Sequence, residues 1–156
     1  MKALLSIGVA LSLAGLAPFQ LPETKSRMEG PAKVKPGAMV MASVIVEVPS
    51  GNHAYAPPAA HDELTVLVTV PAGAKYKLAK IAYPAGKMVK YPGFEEPVLA
   101  YEGTVKIPVQ VQLPKGAKGK VVVKLQVRTQ VCSNTEGACY PPKTETVSAN
   151  VTVSPK

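Results

Sequence analysis

Along residues 104–113 every second position is apolar: Val105, Ile107, Val109, Val111 and Leu113 share one face, with Lys106, Gln110 and Gln112 opposite. A repeat of two marks a half-buried β-strand, because successive side chains of an extended chain point to opposite sides. Pro108 sits on the polar side and has no N–H to give to a ladder, which predicts an edge position or a bulge. The alternation returns at Val123, Leu125, Val127, Thr129 and Val131, set against Lys124, Gln126, Arg128 and Gln130. Lys115-Gly116-Ala117-Lys118-Gly119 lies between the two runs and predicts a hairpin connection.

Residues 39–48 alternate well enough for an interior strand that stops at Pro49-Ser50-Gly51-Asn52. Residues 64–70 form a short continuous apolar run ended by Pro71-Ala72-Gly73, which predicts a second interior strand, and residues 144–153 supply a last one. Residues 83–101 carry Gly86, Pro92, Gly93 and Pro97 and read as a long loop with a short strand over 98–101. No amphipathic helical period and no internal repeat interrupts this series. About seven strands joined by Pro- and Gly-rich turns predict an all-β chain folded as an immunoglobulin-like β-sandwich.

Composition sharpens the picture. A chain of 156 residues with 47% hydrophobic content has material for one domain with a real core, which excludes intrinsic disorder. With no Trp and 5% aromatic residues, that core rests on Val, Ile, Leu and Ala. Met1-Lys2 followed by the apolar residues 3–17 reads as a signal peptide over 1–17, too short to span a bilayer comfortably. Cleavage is expected after Ala14, with Ser12 three positions before the cut, or after Ala17, which Pro18 disfavours. Residues 18–33 read as a flexible leader and residues 34–156 as the sandwich. The expected location is periplasmic or otherwise extracytoplasmic, with no stable membrane insertion after cleavage. The net charge of +8 comes from lysines spread along the chain, as on a solvated face, which argues against nucleic-acid binding.

The chemistry falls to the only two cysteines, Cys132 and Cys139, with six residues between them. Outside the cytosol two thiols meet an oxidising environment, so a disulfide is the state to expect. The intervening Ser133-Asn134-Thr135-Glu136-Gly137-Ala138 are turn formers; Gly137 can take the positive φ that folds the chain back, and Pro141-Pro142 stiffen the exit. Two readings stand: a staple on a hairpin tip, in a redox-inert binding or structural module, or an accessible pair on a rigid support that exchanges with partner thiols.

The text Val127-Arg128-Thr129-Gln130-Val131-Cys132 and Gly137-Ala138-Cys139-Tyr140-Pro141-Pro142 resembles the N-terminal periplasmic domain of the thiol:disulfide interchange protein DsbD, an immunoglobulin-like module whose cysteine pair is followed by aromatic-Pro-Pro. Tyr101-Glu102-Gly103-Thr104-Val105-Lys106-Ile107-Pro108-Val109 and Gly51-Asn52-His53-Ala54-Tyr55 are similar to other stretches of that family, and the likeness covers roughly residues 34 to 153. It implies a protein-disulfide reductase component without a cofactor, with Cys139 the attacking thiol and Cys132 the resolving one. Phe94 matches the place of a shielding cap aromatic, and His53 that of a residue lining the cysteine site. The implied partners are a thioredoxin-like domain or membrane electron carrier as donor and an exported disulfide isomerase or cytochrome-maturation thioredoxin-like protein as acceptor. The chain departs from the pattern in three ways. Its cysteine spacing is one residue longer, Pro92 and Gly93 stand where acidic residues precede the cap aromatic, and Glu95-Glu96 follow it.

Tyr55 and Tyr140 have two readings, as covers over the disulfide or as core tyrosines with satisfied hydroxyls. His53, His61, Met39, Met41 and Met88 offer soft ligands for copper, but without tight spacing; Met39 and Met41 share a strand face and read as core. No metal site is therefore expected. No nucleophile elbow, zincin motif or phosphate loop points to hydrolysis or nucleotide chemistry.

Overall fold

The structure is a computed structural model and describes residues 21–58 and 64–154. The signal segment over 1–17 and His61 lie outside the described residues. Within them the chain forms β1 (Lys25–Glu29), β2 (Lys33–Val34), β3 (Met39–Glu47), β4 (Asn52–Tyr55), β5 (Leu67–Thr69), β6 (Lys77–Ile81), β7 (Lys87–Val89), β8 (Val98–Tyr101), β9 (Thr104–Gln112), β10 (Gly119–Thr129), β11 (Val131–Ser133) and β12 (Lys143–Val153). No helix among the described residues is long and apolar enough to cross a membrane.

Two four-stranded sheets, ordered β1-β3-β9-β6 and β2-β12-β10-β5, build the all-β sandwich. The alternating runs supply its facing surfaces. Val105, Ile107, Val109, Val111 and Leu113 of the β9 run are all buried, as are Val123, Leu125, Val127, Thr129 and Val131 of the β10 run. Val40, Val44 and Val46 of β3 and Val147, Val151 and Val153 of β12 complete the same apolar cluster. Each such side chain contributes about 1.5–3 kcal/mol on leaving water, which is the main force closing the two sheets. A third sheet, β11-β4-β8-β7, forms at one end from segments that adjoin the long strands: β4 follows β3, β8 leads into β9, and β11 continues β10 after Gln130.

Several expectations need correction. The segment read as a flexible leader contains β1, which pairs with β3 from Lys25↔Glu47 to Glu29↔Ser43. Thr24 is buried, and its hydroxyl bonds that of Thr129 at 2.6 Å. Charged Lys25, Arg27 and Glu29 alternating with half-buried Ser26 and Met28 are what an edge strand requires, and they hide its apolar face. The apolar run at 64–70 yields only β5, an edge strand with Leu67 exposed. The long loop at 83–101 contains β7 paired with β8, while β6, a five-residue strand with Lys77, Ala79 and Lys80 exposed and no regular alternation, gave no signal in the pattern.

β9 proves central, with β3 on one side and β6 on the other. Pro108 is accommodated because its missing donor falls at the end of β6, where Ala82 N–H still donates to Pro108 O at 2.9 Å. Met39 and Met41 are exposed on the outer side of β3, not in the core, because the buried register of that strand runs through Val40, Ala42 and Val44.

Candidate functional site

Residues 131–140 fold as a tight hairpin. Ser133 N–H donates to Ala138 O and Tyr140 N–H donates to Val131 O, each at 2.8 Å. Cys132 and Cys139 therefore occupy the non-hydrogen-bonded pair between those two rungs, where opposed side chains approach most closely. Their Cα atoms are 3.9 Å apart and the sulfurs are bonded. The Ser133 hydroxyl accepts the N–H groups of Thr135 and Glu136 at 3.3 and 3.2 Å, and Gly137 completes the turn at φ +64°. Asn134 N–H donates to Gly51 O at 3.0 Å, tying the turn to the loop before β4.

The two sulfurs have unequal surroundings. Cys132 lies on β11, which is seated on β4 with Cys132 opposite His53, and it is fully buried. Cys139 lies on the returning arm, which meets β11 through the isolated Cys132–Cys139 bridge, and it is exposed.

Side chains from two other segments gather on the face that Cys132 shares. His53 and Tyr55, two residues apart on β4, point to the same side, and cross-strand pairing brings Cys132 to that side as well. Tyr91 stacks flat on the His53 imidazole, with ring centres 4.1 Å apart and planes 7° from parallel. Phe94 meets His53 edge-on at 5.5 Å, and Tyr55 does so at 5.7 Å. The loop carrying Tyr91 and Phe94 is held by a turn in which Phe94 N–H donates to Tyr91 O at 3.3 Å and Gly93 sits at φ +83°. Proline then glycine at its centre, Pro92-Gly93, is the sequence that a type II turn demands. The Lys90 ammonium bonds Glu95 O across the same loop.

This cap rests on the cysteine hairpin through two glycines. A Cβ on Gly137 would lie 2.9 Å from Gly93 Cα and 3.0 Å from Gly93 O, and one on Gly93 would lie 2.9 Å from Gly137 Cα. Only backbone against backbone fits there.

Beneath the rings runs a polar chain. The Glu102 carboxylate, in the turn between β8 and β9, accepts the Tyr91 hydroxyl at 2.8 Å and Asn134 Nδ2 at 3.1 Å. A carboxylate can only accept, so Asn134 turns its amide nitrogen to Glu102 and its Oδ1 to His53 Nδ1, 2.8 Å away. His53 Nδ1 is then the donor, and Nε2 of the neutral ring carries a lone pair. That atom is buried and has no hydrogen-bond partner. Burial holds His53 below the usual histidine range, partly offset by its Asn134 bond and the Glu102 charge. Tyr91 is pushed well above the tyrosine range by burial and by its hydrogen bond to, and the charge of, Glu102, so it stays a neutral donor.

Of the residues singled out from the sequence, the structure brings Cys132, Cys139, His53, Tyr55 and Phe94 into one neighbourhood, with Gly137 in the turn. Tyr140 is half-buried on the returning arm, where its carbonyl accepts Gln130 Nε2 at 3.0 Å, and its ring stands outside the stack around His53. Pro141 and Pro142 follow as exposed residues. Among the described residues no group of three or more His, Cys, Asp or Glu side chains is placed to hold a metal ion. Sequence reasoning missed Tyr91, Glu102 and Asn134. Only the Tyr91-Pro92-Gly93-Phe94 turn carried a readable signal.

Fold and site together define a β-sandwich with a disulfide-closed hairpin at one end, one cysteine buried next to an aromatic cluster and the other exposed. The family model for the thiol:disulfide interchange protein DsbD, N-terminal, matches residues 24–150, and the chain belongs to that family. Among solved structures, the N-terminal periplasmic domain of ScsB from Proteus mirabilis shares the fold, with a TM-score of 0.56 and 11% sequence identity. The match covers 80% of this chain and 45% of that one. No curated protein sequence matches the chain.

Proposed function

We propose that the chain passes electron pairs through Cys132 and Cys139 by thiol:disulfide exchange with thioredoxin-like partners outside the cytoplasm. The observation that carries this reading is the asymmetry of a single disulfide: Cys139 exposed, Cys132 fully buried. Exchange needs a thiolate to approach in line with a sulfur that partners can reach, and a second sulfur placed to leave or return. A donor thiolate attacks Cys139 Sγ, the Cys132–Cys139 bond breaks, and its electron pair departs on Cys132. The donor's second thiol then releases Cys139 as a thiolate, leaving the donor oxidised and this chain reduced by two electrons. Towards an acceptor disulfide, Cys139 attacks and Cys132 resolves. The DsbD family and the ScsB domain support thioredoxin-like partners and a periplasmic setting; an exported isomerase or cytochrome-maturation protein is the acceptor class we favour, and a separate thioredoxin-like domain or membrane carrier the donor class.

A purely stapling disulfide is the competing reading. Closing so small a loop contributes about 2.5 kcal/mol by chain entropy, and the hairpin already has two backbone rungs and the Ser133 turn bonds. The test is trapping. Incubated with a thioredoxin-like protein carrying a disulfide, the reduced Cys132→Ser variant is expected to accumulate a mixed disulfide through Cys139, and the Cys139→Ser variant none. If neither variant traps a partner, while the double serine variant loses stability, the staple reading replaces the exchange reading.

A further inference from the structure

Resting on the exchange reading above, we propose that His53 is the proton acceptor for the Cys132 thiol. Asn134 and Glu102 are then the positioning residues that hold its imidazole with Nε2 bare. Four observations converge. Cys132 and His53 are direct cross-strand partners, so their side chains lie on one face with Cβ atoms about 4.5–5.5 Å apart. Both residues are fully buried. The bond to Asn134 Oδ1 fixes the proton on Nδ1 and leaves the lone pair on Nε2. Nε2 itself is buried without a partner, which is costly for a polar atom and calls for an explanation.

The oxidised chain supplies no such partner, because a disulfide sulfur has no proton to donate. The reduced chain does. Cys132 then carries an S–H in the same buried layer as the bare nitrogen, so reduction supplies the missing donor.

In the mixed disulfide on Cys139, the Cys132 S–H proton moves to His53 Nε2, and the sulfur electron pair forms the bond to Cys139 Sγ. The bond between Cys139 and the partner breaks, and its electron pair leaves on the partner sulfur. The imidazolium returns its proton to that thiolate through solvent. Two cysteines are oxidised and one partner disulfide is reduced to a dithiol. A thiol in apolar surroundings ionises poorly on its own, so a buried resolving cysteine needs an adjacent acceptor. The imidazolium formed is compensated by the Glu102 carboxylate across Asn134; the other titratable groups against the ring are Tyr91 above it and Tyr55 beside it, both neutral at working pH.

The experiment uses the reduced chain and glutathione disulfide, with Cys139 glutathionylation and Cys132–Cys139 closure followed separately by quenched mass spectrometry from about pH 5.5 to about pH 8.5. His53→Phe keeps a ring against Tyr91 and removes the nitrogen. It is expected to slow closure by about tenfold or more near neutral pH and to make closure climb with pH as an unassisted thiol ionises. Attack by Cys139 should be little changed. Glu102→Gln, which keeps the hydrogen-bonding shape without the charge, should move the acid limb of the closure profile to lower pH, a change that loosened packing would not produce. Closure within about twofold of the unaltered chain at every pH in His53→Phe, or an unmoved acid limb in Glu102→Gln should His53→Phe fail to fold, overturns the proposal. If the unaltered chain itself forms no Cys139–glutathione adduct or never closes, the exchange reading fails instead.

Discussion

The contact between Gly93 and Gly137 yields a prediction whose size follows from the structure. Gly137→Ala places a methyl 2.9 Å from Gly93 Cα and 3.0 Å from Gly93 O, against about 3.5–4.0 Å for an ordinary carbon contact. The obstructing atoms are backbone, so no side-chain rotation relieves them, and the cap must move by about half an ångström or more. Two costs add. Alanine at φ +64° costs about 1–2 kcal/mol, offset by roughly 0.4–1 kcal/mol through the stiffer unfolded chain. Lifting the cap also loosens Tyr91 and Phe94 from His53, at about 0.5–1.5 kcal/mol for each ring pair. The total is about 2–3 kcal/mol. Gly103→Ala isolates the first cost, because Gly103 has φ +62° and a methyl there would meet nothing within 4 Å. Urea unfolding of the oxidised chain should therefore place the Gly137→Ala midpoint about 1 M below that of Gly103→Ala, at an m-value of about 1–2 kcal/mol/M. Near-ultraviolet circular dichroism should report loss of the tyrosine stack in Gly137→Ala alone. Midpoints equivalent to within about 0.5 kcal/mol would refute the idea that the cap is latched through this glycine pair.

Thr24→Val should destabilise the chain by about 1–2 kcal/mol, because it strands the buried Thr129 hydroxyl. Adding Thr129→Val should recover part of that loss in an unfolding double-mutant cycle, and simple additivity would show that the hydroxyls are not coupled. Acidification gives the other prediction. His53 is held by burial below the ordinary histidine value of 6.5, so the unfolded chain binds its proton more readily than the folded one. That contribution is fully present above the unfolded value and is lost as the pH falls through 6.5 towards the folded value. Urea midpoints should fall between about pH 7.5 and about pH 5.5, and His53→Phe should flatten the fall; an equally steep fall in that variant would place the titration elsewhere.

The long strands were legible because their burial is one-sided. β9 and β10 each bury one face against the opposite sheet, and alternation records that directly. β1, β6 and β7 escaped, and β5 was read as a longer interior strand, because these strands are short and lie at sheet edges, where exposed and half-buried positions blur the period. The methionines of β3 misled for a related reason. Two residues apart they do share a face, but neighbouring Val40, Ala42 and Val44 share the other, and that set of smaller side chains took the interior.

The site divides along the same line. The cysteine hairpin is local, written in ten consecutive residues whose turn formers and flanking strand could be read in order. The surroundings of Cys132 are not local: His53, Tyr91, Glu102 and Asn134 come from β4, the cap loop, the β8–β9 turn and the hairpin tip. Nothing in their spacing joins them. What joins them is the end of the sandwich, where β3, β9 and β10 all pass into the third sheet and their connecting turns converge. The register of β11 on β4 then decides which sulfur is buried: because Cys132 faces His53, it is sealed by the cap, and Cys139, on an arm that pairs with β11 alone, stays in water. A shift of that register by one residue would send Cys132 to the opposite face, away from His53 and the rings. The inequality of the two sulfurs, on which the proposed exchange depends, is therefore set by strand pairing and not by the cysteine motif.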